Sequence, residues 1–178
     1  MDETVARWGR IDILVCNAAI NPVYGSLAEL SDDAFDKIMA TNVKSTFQLC
    51  NMAIPAMAAR REGSVIVLSS IAALRGTTTI GAYGVSKAAE AALVRNLALE
   101  WGPSNVRVNA IAPGLIATDF AKALLDDPER LARVEARTPL RRVGRPEDIA
   151  GVALFLASPL SAYVTGQLIV ADGGDTVA

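Results

Sequence analysis

Four short stretches of this chain are apolar almost without a break: residues 11–18 (IDILVCNA), 64–70 (SVIVLSS), 106–113 (VRVNAIAP) and 167–174 (QLIVADGG). A strand with one wet face alternates polar and apolar side chains. A run that does not alternate is covered on both faces, as in a parallel sheet packed between helices. Residues 162–166 (AYVTG) make a fifth, weaker strand candidate.

Helical patterns fill the gaps. Ser31 is an expected N-cap, with Asp32 and Asp33 suited to the positive start of a helix. Phe35, Ile38, Met39 and Val43 follow at helical spacing, and this helix is expected to reach about residue 61, bend near Pro55 and stop at Gly63. A second helix is expected over residues 82–101. Shorter ones are expected over 117–125, 128–136 and 146–157, with Pro128 and Pro146 in first turns. Strand, helix, strand, helix, strand, helices, strand is the α/β order. It predicts a parallel sheet with right-handed crossovers and helices on both faces. With 178 residues, the chain has the length for one domain, residues 1–178.

Composition narrows the chemistry. There is no histidine, so the commonest general base and the commonest metal ligand are both missing. Acid–base work falls to Tyr, Lys, Ser, Asp or Glu, and no metal site is expected. A net charge of −2 gives no reason to expect nucleic acid or an anionic membrane as partner. No apolar run reaches the length of a membrane span, and the N-terminus has no signal-peptide core. Cys16 and Cys50 lie in apolar surroundings and read as free thiols, which points to the cytoplasm.

Ligands of open α/β sheets bind beyond the carboxyl ends of the strands. Here those ends carry Cys16–Ala19, Ser69–Ser70 and Ala112–Gly114. Tyr83 and Lys87 open the helix after Ser70 at i, i+4, on one face. A free phenol has a pKa of about 10. A neighbouring ammonium lowers it and makes a general acid–base without histidine. The plainer alternative is a tyrosine at a helix start beside a solvated lysine. Asn42 falls on the buried stripe of its helix, where its amide needs partners. Those could be neighbouring backbone or a functional site.

The motifs in order are NAA at Asn17–Ala19, TNV around Asn42, Ser69–Ser70, YGVSK thirteen residues after Ser70, then VRVNAIAPGLIATD and a closing TGQLIVADGG. Together they resemble the short-chain dehydrogenase/reductase family over essentially all of the chain from Trp8 onward. The resemblance implies a Rossmann-like three-layer fold and hydride exchange between NAD or NADP and a carbonyl or alcohol substrate. By position, Tyr83 would be the acid–base and Lys87 would lower its pKa and hold the cofactor's ribose. Ser70, rather than Ser69, would orient the substrate oxygen, and Asn42 would anchor a water that relays protons from Lys87. Asn17, Ala18 and Ala19 would flank the adenosine side, with Ala19 standing where the family pattern has glycine. Pro113, Gly114, Ile116 and Thr118 would grip the nicotinamide side.

Residues 115–140 would form a substrate lid, and its apolar side favours a substrate with some hydrocarbon character. The Asn42 and Tyr83 helices, the latter with small Ala88, Ala89, Ala91 and Ala92, would form a homodimer or homotetramer interface. The alternative is packing on the chain's own sheet. Residues 137–148 form a basic loop, expected to be solvated.

Family members begin with a strand and a glycine-rich turn that receives the pyrophosphate at a helix N-terminus. This sequence shows no such turn. Its first residues resemble the end of a helix that leads into a later strand. The expectation is a fold lacking its N-terminal strands and helices, on the order of 60 residues for two βα units, with residues 11–18 at a sheet edge. Two functions follow: an oxidoreductase whose site another segment completes, or a non-catalytic remnant that acts by associating with full-length relatives. An α/β hydrolase is excluded, because there is neither a G-x-S-x-G elbow nor a histidine.

Overall fold

The computed structural model describes residues 1–121 and 125–178. Its centre is a four-stranded parallel sheet in the order β1 (Ile13–Cys16), β2 (Gly63–Leu68), β3 (Val106–Pro113), β4 (Leu168–Ala171). Ile13 pairs with Ser64, Val65 with Val108, and Ala110 with Leu168. Strands β1, β3 and β4 fall inside the continuous apolar runs, and β2 begins one residue before its run.

Both faces of the central strands β2 and β3 are covered. A short helix, α1 (Asp2–Trp8), leads into β1; on one side of the sheet lie α3 (Ser45–Ala59) and α4 (Gly81–Trp101), with α2 (Asp32–Met39) against α4. Here Ile54, Met57, Val94 and Leu97 pack against Val65, Val67 and Val108. On the other side α6 (Pro146–Ala157), which follows α5 (Pro128–Arg137), packs Leu156 and Ile149 onto Ile66 and Ile111. Neighbouring β2 residues thus serve opposite cores, which is why that run does not alternate.

Local signals explain the helix starts. Ser31 Oγ accepts from Ala34 N at 3.3 Å, and Asp127 Oδ1 accepts from the Glu129 and Arg130 amides at 3.1 Å each. Pro128 and Pro146 occupy first-turn positions, where their missing N–H has no partner to lose.

The structure departs from the sequence reading at four points. The helix begun at Ser31 does not run evenly to Gly63. It passes through a π turn, Ala40–Lys44, and ends at Ala59; the reversal falls on Arg61, at φ 58°, and Gly63 already belongs to β2. Pro55 sits within α3, and the sequence pattern carried no sign of the π turn around Asn42. Residues 162–166 are not a strand. The Asn109 side chain donates to Val164 O (2.9 Å) and accepts from Gln167 N (3.1 Å), clamping this segment to β3 as a loop. Of the helix expected over 117–125, the described residues show a 3₁₀ turn, Asp119–Ala121, and a helical Leu125; residues 122–124 lie outside the described residues.

Among the described residues, strand β1 has no neighbour on its outer side. Ile13 and Val15 are exposed on it, and α1 buries none of its residues.

Candidate active site

The carboxyl ends of β1, β2 and β3 open onto one cleft of about 1290 Å³. Asn17, Ala18 and Ala19 follow β1 on its wall, Ser70 follows β2, and Pro113, Gly114, Ile116 and Thr118 end β3. Tyr83 and Lys87 reach it from the first turns of α4. Gly84 sets that approach: a Cβ there would lie 3.0 Å from Ala72 O, so a side chain would push α4 off the turn after Ser70. Gly114 does the same at the other wall, where a Cβ would come within 2.9 Å of Asp172.

The two serines divide their work. Ser69 Oγ is buried and donates to Lys87 O at 2.9 Å, fastening β2 to α4. Ser70 caps the next turn, accepting from Ala72 N at 3.1 Å, and its hydroxyl lies beside the Tyr83 phenol. Tyr83 is buried, with the Phe120 ring 5.9 Å away, centroid to centroid. Burial pushes its pKa up to about 12; the Ser70 hydrogen bond offsets part of that rise and the Glu90 carboxylate adds to it.

Lys87 is not solvated. Its side chain is 1% exposed, and Nζ donates to Leu68 O at 2.7 Å and to the two Glu90 carboxylate oxygens at 3.1 and 3.0 Å. Nζ also lies 5.5 Å from the centre of the Tyr83 ring. Burial lowers the Lys87 pKa, with Glu90 pulling it back up.

Asn42 stands behind the cleft wall. Its Oδ1 accepts from Ile20 N at 2.8 Å, and its Nδ2 donates to Ile20 O (3.1 Å) and Ser86 Oγ (2.9 Å). Ser86 in turn donates to Tyr83 O at 2.7 Å. The amide is therefore satisfied by backbone and Ser86, while Lys87 bonds elsewhere.

Two features escaped the sequence reading. Glu90 is the first. It sits among alanines, and the signal available was its i+3 spacing from Lys87. The second is the polarity of the lid side. Arg130 and Arg133 line the cleft from α5 beside Leu115 and Phe120. Arg75 and Arg137 converge on Asp175, at 2.5 and 2.6 Å. Within the basic loop, Arg142 pairs with Asp148, whose pKa the guanidinium holds down at about 2.

A Rossmann-like sheet with a Ser–Tyr–Lys cluster at its strand ends defines a class, and comparison with known proteins agrees with it. The profile of the family described as "Enoyl-(Acyl carrier protein) reductase" matches residues 1–176. Bovine "Dehydrogenase/reductase SDR family member 4" is 45% identical over 166 residues, covering 93% of this chain and 60% of the relative. The solved structure of a gluconate 5-dehydrogenase from Burkholderia cenocepacia, in complex with NADP and tartrate, has a TM-score of 0.95 and 34% identity. It covers 99% of this chain and 69% of that one. A short-chain type dehydrogenase/reductase from Mycobacterium ulcerans has a TM-score of 0.95 and 37% identity, covering 99% and 64%. The chain belongs to the short-chain dehydrogenase/reductase family. It spans about 60% of the length of the curated bovine relative.

Proposed function

We propose that this chain carries the proton-transfer site of a nicotinamide-dependent oxidoreductase acting on a carbonyl or alcohol. The observation that carries the reading is the meeting of Ser70, Tyr83 and Lys87 in one cleft at the strand ends. The cleft fits the nicotinamide end of NAD or NADP. Ala18, Ala19 and Gly114 keep its walls low, and its volume exceeds the roughly 300–1,000 Å³ of ordinary small-molecule sites. Asn17–Ala19 would hold the adenosine side, and Pro113, Gly114, Ile116 and Thr118 the nicotinamide side. When bound, the cofactor supplies the hydride chemistry at its nicotinamide ring.

The chain's own residues handle orientation and the proton. Tyr83 gives its phenolic proton to the substrate oxygen in reduction and takes it back in oxidation. Ser70 donates to the same oxygen and fixes its direction. Lys87 places positive charge near the phenol and holds the ribose hydroxyls. Asn42 supports the proton path from behind the wall. Phe120 and Leu115 offer apolar contact to the substrate, and Arg130 and Arg133 add a polar side.

We further propose residues 1–178 as one domain that pairs with a second copy through α3 and α4. Phe47 and Met52 on α3 and Val85 and Leu99 on α4 are large, apolar and exposed. Among the described residues no helix is long and apolar enough to cross a membrane. Buried Cys16 and Cys50 suit a reducing compartment, and we place the protein in the cytoplasm.

The test is a fluorescence titration of the purified chain with NADH and NADPH, followed by a panel of carbonyls and alcohols. Binding with turnover, and turnover reduced about a hundredfold or more in Tyr83→Phe, is expected. A second reading, association without turnover, is favoured by the exposed Ile13 and Val15 at the β1 edge. No cofactor binding, together with association in sedimentation experiments, would select it.

A further inference from the structure

The deepest ionic contact among the described residues involves one to which the proposed reaction gives no role. Glu90 and Lys87 are each 1% exposed, and the carboxylate faces the ammonium with both oxygens. Two charges this deep are costly to bury unless each satisfies the other. The third partner of Lys87 is the neutral carbonyl of Leu68. Glu90 is thus the only anion bonded to Lys87 among the described residues.

We propose that Glu90 is a positioning residue: its carboxylate keeps Lys87 in the ammonium form and fixes that charge under the Tyr83 ring. This rests on the reading of Tyr83 and Lys87 as the proton-transfer pair. The reason is physical. A buried lysine without an anion sheds its proton, and a neutral Lys87 would offer no field to a phenolate and a weaker donor to a ribose diol. The arrangement also carries a cost. The same carboxylate raises the Tyr83 pKa, so Glu90 supplies the cation while opposing phenolate formation.

The surroundings leave Glu90 as the partner. On α4 itself it faces Lys87 and Tyr83. From β1 comes the Cys16 thiol, which its hydrogen bond with Cys50 of α3 and its burial hold protonated. The charged side chains of α2 and the π turn, from Asp32 to Lys44, are exposed. Strand β3 contributes Arg107, whose guanidinium bonds Ser161 and Ser158.

The test reads Lys87 directly and needs no turnover. The chain is labelled with ¹³C at lysine Cε and titrated by NMR, with Lys87→Met identifying the signal. In Glu90→Gln the Lys87 titration is expected at a pH at least about one unit lower than in the unaltered chain. An unchanged midpoint overturns the proposal. The unaltered chain gives a second reading if Glu90→Gln fails to fold. Burial pushes the Glu90 pKa up to about 7, with Lys87 pulling against it. The Lys87 signal must therefore show a second inflection as the pH falls through that value. A single alkaline inflection overturns the proposal as well. Where turnover is found, the alkaline limb of kcat/KM in Glu90→Gln should move down with the Lys87 midpoint. If turnover is found in no variant, the proposed function fails while the NMR result still decides the role of Glu90.

Discussion

Asn42 grips Ile20 by both of its backbone groups, accepting from its N–H at 2.8 Å and donating to its carbonyl at 3.1 Å. With the second amide hydrogen on Ser86, and Ser86 on Tyr83 O, this ties the segment after β1 to the first turn of α4. The two cleft walls are thereby held in register through one side chain. The π turn at Ala40–Lys44 is what aims that side chain inward.

Replacing Asn42 by alanine removes three hydrogen bonds at once and leaves the part-buried Ile20 N–H and carbonyl without their side-chain partner. Each such group costs about 1–3 kcal/mol. Asn42→Ala is expected to lower the unfolding free energy by about 2–4 kcal/mol in urea titration, after partial relaxation of Ile20. It should also speed amide exchange at Ile20. A loss under about 0.5 kcal/mol, of the size usual for surface changes, would show that the clamp is dispensable.

Tyr83 should ionise only late in an alkaline titration. Tyr24 and Tyr163 are exposed, whereas burial pushes Tyr83 up to about 12. Tyrosinate absorbance during alkaline titration should show a late step that is missing from Tyr83→Phe. The sign for stability follows. The folded pKa lies above the usual value of about 10, so this contribution is full below pH 10 and disappears as pH rises through about 12. Over that window the loss is on the order of 2–3 kcal/mol. A Tyr83 that ionises near the usual phenol value of about 10 would contradict the buried geometry.

Much of the fold could be read from residue order. The four apolar runs became the four strands, with both faces covered at β2 and β3, and Ser31, Pro128 and Pro146 marked helix starts through local signals that sequence spacing displays. The π turn could not be read, since one wider turn leaves no periodic trace in a short window. Asn42 showed only its burial. Residues 162–166 have strand-like composition, but Asn109, more than fifty positions earlier, pins them as a loop. Of the site, the residues of the YGVSK segment were legible through their spacing. The state of Lys87 was not. The sequence suggested a phenol lowered by a neighbouring ammonium; in the structure that ammonium is paired with Glu90, and burial raises the phenol. The Arg75–Asp175–Arg137 cluster joins positions 100 and 38 residues apart, beyond any local pattern.

The outer faces of α3 and α4 make the oligomer testable. A charge at the centre of an apolar interface is left without a partner on association. Phe47→Glu combined with Leu99→Glu should move the chain toward monomer in sedimentation velocity and leave its circular dichroism unchanged, because both side chains are already exposed. An unchanged sedimentation profile from an associated parent would place the interface elsewhere.

Asp175 offers the last test, on the lid side of the cleft. Its carboxylate is 4% exposed and binds Arg75, from the loop after β2, and Arg137, at the end of α5. One buried anion thus joins three segments that sequence keeps apart. Asp175→Asn leaves the two guanidinium groups facing each other with a weaker acceptor between them. Both arginines are partly solvated, at 36% and 55% exposure, so water screens much of their repulsion. The expected loss is therefore about 1–2 kcal/mol, toward the lower end for hydrogen bonds to charged groups. Because α5 is released from the C-terminal turn, amide exchange should rise across residues 128–138 and stay unchanged in β2 and β3. A uniform rise across the sheet would mean that Asp175 supports global stability; an unchanged α5 would mean that the Leu140–Gly173 backbone bond holds this segment without it.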